Sequence, residues 1–177
     1  MKRWMLVVPL AAFLVLAVFL YRGLYLDPAE LPSALIGKPF PEFNLPAVQD
    51  GAPLTRQNLL GKPALVNVWG TWCVACRVEH PVLNKLAQQG VVIYGVNYKD
   101  DTAAAQKWLA EFHDPYRLNI SDAEGSLGLN LGVYGAPETF LIDAKGVIRY
   151  KHVGVIDETV WREQLASLYQ GLVEEGR

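Results

Sequence analysis

The chain has two cysteines, Cys73 and Cys76, with two residues between them. Thiolates are the nucleophiles and soft metal ligands of proteins, so such a pair could exchange disulfides, supply half of a zinc site or form a local staple. It stands in Trp72-Cys73-Val74-Ala75-Cys76, directly after an apolar run and ahead of a helical pattern. A sulfur at the start of a helix faces unpaired N–H groups and the positive end of the dipole, which lowers a thiol pKa from about 8.5 toward roughly 7 or below. Cys73 is therefore expected to attack, and Cys76, one turn in, to resolve the mixed disulfide. Structural zinc needs two more ligands. His80 could be a third for zinc or copper, but no second Cys-x-x-Cys exists, and His80 reads more simply as a solvent-facing helix residue. A staple over two residues would constrain little of the unfolded chain.

Further positions could assist. Ala136-Pro137 follows Gly135 and opens an extended segment, where a cis proline is plausible chemistry. Alone it would read as an ordinary trans proline, and the upstream Cys pair reverses that choice. In thioredoxin-like folds such a proline lies against the Cys pair, and the backbone before it pairs with an extended substrate segment. Glu79 lies one helical turn beyond Cys76, and Glu138 directly follows Pro137. Both carboxylates are candidates for proton transfer to a departing thiolate, or for opposing thiolate formation by like charge. An exposed helical Glu is also simply a solvated face. Trp72 would flank the same groove.

The elements that must position these residues follow from periodicity. Residues 64–69 form a continuous apolar run, as in a strand buried on both faces. Gly70-Thr71-Trp72 breaks it, and residues 74–89 show helical spacing through Val78, Val82, Leu83 and Leu86, with Pro81 inside and Gly90 as the stop. Residues 91–98 are a second buried strand. Asp100-Asp101-Thr102 can cap a helix over 103–112. A short extended piece at 116–120 and a brief helix at 122–129 come next. Residues 138–142 and 147–153 read as an antiparallel hairpin turning at Asp143-Ala144-Lys145-Gly146. A closing helix over 157–175 puts Val160, Trp161, Leu165 and Leu168 inward. Ahead of all this, 40–45 and Leu54 are short extended candidates. The expected class is α/β: a thioredoxin-like mixed sheet covered by helices on both faces.

The N-terminus sets the compartment. Lys2 and Arg3 precede an apolar run over residues 5–21, bounded by Trp4 and by Tyr21 and Tyr25. A bilayer core takes about 20 helical residues, and aromatic ends suit headgroup depth. A cleaved signal peptide would need small residues where Val18-Phe19-Leu20-Tyr21-Arg22 is bulky. The expected organisation is a cytoplasmic stub at 1–4, one transmembrane helix at 5–22, a linker at 23–34 rich in Pro and polar residues, and a domain at 35–177. The basic N-terminus stays inside, leaving the domain in the periplasm of a bacterial inner membrane. With 51% hydrophobic residues, 19% charged and a net charge of −2, the chain is globular. It lacks the basic stripe of a nucleic-acid binder.

Three segments together resemble one family. They are Val68-Trp69-Gly70-Thr71-Trp72-Cys73, Gly95-Val96-Asn97-Tyr98-Lys99-Asp100-Asp101, and the twelve residues at 132–143 that begin Gly132-Val133-Tyr134-Gly135-Ala136-Pro137-Glu138. They resemble the DsbE/CcmG family, periplasmic thioredoxin-like proteins of cytochrome c maturation. The resemblance runs over nearly the whole chain, including the N-terminal run. It implies a reductant that receives electrons from a membrane thiol transporter of the DsbD/CcdA type and reduces the haem-attachment Cys-x-x-Cys-His of apocytochrome c. It implies no cofactor beyond the cysteine pair and no bound metal. It maps Cys73 and Cys76 onto the redox pair, Pro137 onto the cis proline, and Glu79 and Glu138 onto acidic groove residues. Two departures stand out: Asn67 occupies the place of thioredoxin's buried Asp, and Val74-Ala75 lacks the proline often found between the cysteines. The alternatives are a general periplasmic disulfide reductase or isomerase and, from another class, a copper or haem chaperone using Cys73, Cys76 and His80.

Overall fold

The computed structural model describes residues 4–23 and 34–176, with side chains over 7–22 and 34–176. Two compact units divide at residues 31 and 32. The expected stub and linker lie outside the described residues except at Trp4, Gly23 and Ala34.

In the first unit, helix α1 (Trp4–Gly23) runs 20 residues, with Pro9 inside it and Arg22 in its last turn. Its apolar side chains stand exposed, Val15 at 71% and Phe19 at 75%. Among the described residues no helix is long and apolar enough to cross a membrane. The stretch of α1 with described side chains, 7–22, would be about 24 Å long against a hydrocarbon core of about 30 Å.

The second unit is built on a five-stranded mixed sheet in the order β5-β4-β3-β6-β7. Strands β3 (Ala64–Trp69), β4 (Ile93–Tyr98) and β5 (Leu118–Asp122) run parallel. Strands β6 (Glu138–Ile142) and β7 (Ile148–Val153) form the antiparallel hairpin, with β6 also antiparallel to β3. Every residue of β3 and β4 is buried, which explains their unbroken apolar character. The chain steps from β3 to β4 to β5 in one direction. Right-handed crossovers therefore put α2 (Val74–Gln88) and α3 (Thr102–Phe112) on the same face. That face packs Leu65, Trp69, Ile93 and Leu141 against Leu83 and Leu86 of α2, Leu109 of α3, and the C-terminal helix.

The opposite face differs from expectation. Besides the short α4 (Ser126–Asn130), it is covered mainly by non-helical chain: Phe40, a two-stranded hairpin of β1 (Asn44–Pro46) and β2 (Pro53–Thr55), and a 3-10 turn carrying Leu59. The strand expected at 40–45 begins only at Asn44, although Pro39 makes an isolated bridge to Val147.

Two helices also present other faces than periodicity suggested. On α2 the buried arc is Cys76, Glu79, His80, Leu83 and Leu86, while Val78 stands 65% exposed. The closing helix is three pieces: α5 (Glu158–Val160), a π-helical turn (Trp161–Leu165) and α6 (Ala166–Glu175). A π turn inserts an extra residue and rotates the helix beyond it. Leu165, Tyr169 and Leu172 thus point inward, and Leu168 turns out to 43% exposure.

Candidate active site

Cys73 is the N-cap residue of α2, in extended backbone between Trp69 at the end of β3 and the first helical turn. Its N–H donates to the Gly70 carbonyl at 3.1 Å, which closes the turn out of the strand. Its Sγ accepts the Cys76 N–H at 3.0 Å, one of the donors a helix N-terminus leaves unpaired. Cys73 and Cys76 are joined as a disulfide, with Cys76 on the inner arc of α2 at 2% exposure and Cys73 at 6%.

The approach to Cys73 is held on two sides. Trp72 is half-exposed and donates its indole Nε1–H to the Tyr98 carbonyl at 3.0 Å. The ring lies so close over Gly70 that a Cβ there would sit 2.5 Å from Nε1, so only glycine fits. On the other side Asp100 accepts both the N–H and the hydroxyl of Thr71, each at 2.6 Å, and the Asn97 amide at 2.8 Å. The acidic pair is thus divided in function. Asp101 alone caps α3, accepting the Ala104 N–H at 2.8 Å, while Asp100 fixes the loop carrying Cys73. Adjacency in sequence disguised Asp100 as part of a cap.

Strand pairing brings the second segment in. Val68 pairs with Glu138, so Pro137, the preceding residue, stands level with the end of β3 where the cysteine turn begins. The Ala136-Pro137 peptide is cis, and Ala136 packs against the cluster that contains both cysteines.

The two carboxylates do not converge. Glu79 is 1% exposed, not a solvated helix residue. Its Oε1 accepts the Asn67 amide at 2.9 Å and its Oε2 accepts the Ile156 N–H at 3.0 Å. Asn67 also donates to Thr139 Oγ1 at 3.0 Å and accepts the Tyr116 hydroxyl at 2.8 Å. Burial raises the Glu79 carboxyl to about 7, against the lowering pull of the Ile156 and Asn67 hydrogen bonds. The Tyr116 phenol is pushed well above its ordinary value by burial, so it stays a donor. Glu138 lies on the other face of β6, in line with Phe140, and is fully buried. It pairs with Lys151 at 2.8 Å and accepts the Tyr134 N–H at 3.1 Å. It therefore does not line a groove beside Glu79.

His80 also corrects its expected solvent-facing position. It is 3% exposed, its Nε2 lies 2.7 Å from the His113 carbonyl, and its ring meets Trp108 edge-on at 4.2 Å. Burial lowers its pKa, so the ring is neutral near pH 7, and a carbonyl partner requires Nε2 to carry the proton. That nitrogen is therefore not free to bind a metal. Among the described residues no group of three or more His, Cys, Asp or Glu could hold a metal. The chaperone reading through His80 finds no support in this geometry.

Comparisons with known proteins place this arrangement. The redoxin family pattern matches residues 35–170. The thiol:disulfide interchange protein DsbE of Pseudomonas fluorescens biotype C is 75% identical over 177 residues, covering 100% of this chain and 99% of that protein. The protein of the same name from Escherichia coli is 47% identical over 182 residues, covering 99% and 98%. The chain belongs to the DsbE family of thiol:disulfide interchange proteins. A DsbE crystal structure from Chlorobium tepidum superposes with a TM-score of 0.67 at 27% identity, covering 78% of this chain and 97% of that one. The mixed sheet and its flanking helices are thus the thioredoxin-like fold of DsbE, and the chain is a thiol–disulfide oxidoreductase. Its residues missed in sequence are Tyr116, Thr139, Ile156, Asp100 and Lys151. The resemblance quoted Asp100 and Thr139 within its motifs, but only the sheet register shows what they touch.

Proposed function

We propose that the protein reduces the disulfide of apocytochrome c haem-attachment cysteines during c-type cytochrome biogenesis. In the reduced enzyme the Cys73 thiolate attacks one sulfur of the substrate disulfide. A Cys73–substrate bond forms, and the other substrate sulfur leaves as a thiolate that takes a proton. Cys76 then attacks the Cys73 Sγ, the second substrate thiol departs, and the Cys73–Cys76 disulfide remains. Two electrons have passed to the substrate. A membrane thiol-electron transporter supplies two further electrons: its dithiol exchanges with the Cys73–Cys76 disulfide, which is reduced while the transporter's own pair is oxidised.

The observation that carries this reading is the placement of the two sulfurs. Cys73 caps a helix whose first N–H groups favour its thiolate, and Cys76 sits deeper on the buried arc. Glu79, one turn beyond Cys76 at a Cβ separation of about 5–6 Å, is the accessory base. With a pKa of about 7 it can take the Cys76 proton at neutral pH. The backbone at Ala136 and Pro137 is the edge on which an extended substrate pairs, with Trp72 as the flanking wall. Glu138 is reassigned from groove acid to internal partner of Lys151.

The domain plan belongs to the same reading: a stub at 1–4, an anchor at 5–22, a linker at 23–34 and the catalytic domain at 35–177. The apolar run over residues 5–21, with Lys2 and Arg3 ahead of it, is the sequence feature that supports a single pass of the bacterial inner membrane with the domain in the periplasm.

The test is capture with Cys76→Ser, which leaves the mixed disulfide at Cys73 unresolved. Recovery of a protein bearing a haem-attachment Cys-x-x-Cys-His is the expected outcome. A mixture of unrelated periplasmic proteins in proportion to their abundance would show a general reductase instead.

A further inference from the structure

The loop at 132–137 leads directly into the edge beside the cysteines, and one buried cation holds it. Lys151 comes from the middle of β7, with its side chain 8% exposed. Its Nζ is 2.8 Å from Glu138 Oε2 and 3.0 Å from the Gly132 carbonyl that it donates to. The other oxygen of Glu138 accepts the Tyr134 N–H at 3.1 Å. The same ammonium lies 5.1 Å from the centroid of the Tyr134 ring and 5.3 Å from that of Phe140. The start of the loop, its midpoint and its exit into β6 are thereby tied to one ion pair.

Two features separate this pair from ordinary core structure. Taking both charges out of water is costly, and a well-packed hydrophobic pair in such a place often holds two strands together as well. A buried pair with three different loop contacts specifies geometry more than it stabilises. What it positions is exposed: Tyr134 is 66% open to solvent although its N–H is bonded to Glu138 and its ring lies against the Lys151 ammonium. A rigid, exposed aromatic two residues before Ala136, which packs on the cysteine cluster, is the kind of anchor that peptide interfaces use.

We propose that Lys151 is a positioning residue for substrate recognition: its pairing with Glu138 holds Tyr134 as the aromatic contact for an extended peptide lying along Ala136. The inference rests on the reductase reading and names the part of the site that selects a peptide disulfide. Lys151 itself touches no reacting atom.

The experiment measures steady-state reduction of a disulfide peptide containing Cys-x-x-Cys-His by the full chain, with the reduction potential determined beside it. Tyr134→Ala and the neutral double variant Lys151→Met/Glu138→Gln, which strands no lone charge, should each raise KM for the peptide about tenfold, with the loss in kcat/KM carried by KM. The reduction potential should not move, and Tyr134→Phe, which keeps the ring, should restore the wild-type KM. An unaltered KM in Tyr134→Ala would overturn the inference. So would a double variant that loses kcat rather than KM, shifts its potential or fails to fold, since each assigns the pair to structure alone. Failure of the reductase reading would appear elsewhere, in the identity of the proteins captured by Cys76→Ser.

Discussion

Glu79 shows how far one residue's surroundings can move its chemistry. The helix α2 exposes Val74 and Val78 and buries Glu79 and His80, the reverse of an apolar pattern. The reason is that their partners arrive from distant chain: Asn67 from β3, Ile156 beyond β7, and His113 after α3. No local window contains them. The consequence for Glu79 can be measured. Its folded pKa of about 7 lies above the ordinary 4.5, so the folded state keeps a proton that the unfolded chain releases. Its contribution to stability is complete below pH 4.5 and is lost as pH rises through 7, by about 3 kcal/mol. Urea unfolding of wild type and Glu79→Gln across that range should show a correspondingly flatter slope for the variant. Equal slopes would mean that Glu79 keeps an ordinary carboxylate pKa in the folded protein and is too weak a base to take the Cys76 proton.

At the scale of elements, the informative differences lie where a helix is irregular or a loop is tied from afar. A regular 3.6-residue pattern over 157–175 selects Leu168 for the core, but the π turn at Trp161–Leu165 rotates α6 so that Tyr169 and Leu172 take the inner face. Leu165→Ala should therefore cost about 2–5 kcal/mol, whereas Leu168→Ser should stay within about 0.5 kcal/mol. Thermal unfolding of the two variants checks the phase directly, and a large loss at Leu168 would place the rotation elsewhere. The Asp100-Asp101 pair teaches the same lesson. A capping signal was legible, but its first carboxylate serves Thr71 across the β3–β4 register.

For the whole molecule, the order of strands and helices was readable because buried parallel strands, the hairpin turn from Asp143 to Gly146 and the glycine stop at Gly90 are local signals. Coverage of the second sheet face was not, since an irregular N-terminal segment has no period to detect. The proposed anchor belongs to this scale. Full-length protein should stay in the membrane pellet after an alkaline carbonate wash, and a chain starting at residue 34 should move to the supernatant. Release of both forms would remove the anchor from the proposal.

By itself the sequence identified the two sulfurs and favoured disulfide exchange, because a Cys-x-x-Cys between a buried strand and a helix, with no second such motif, is poorly furnished as a metal site. The family motifs added the proline segment and the class of substrate. Only the tertiary structure decided which polar residues serve the pair. The register of β3 against β6 sends Thr139 toward Asn67 and Glu79, and sends Glu138 to the opposite face with Lys151. Alternation along a strand is a property of one segment. What stands on the other side of the sheet depends on every segment that folds against it.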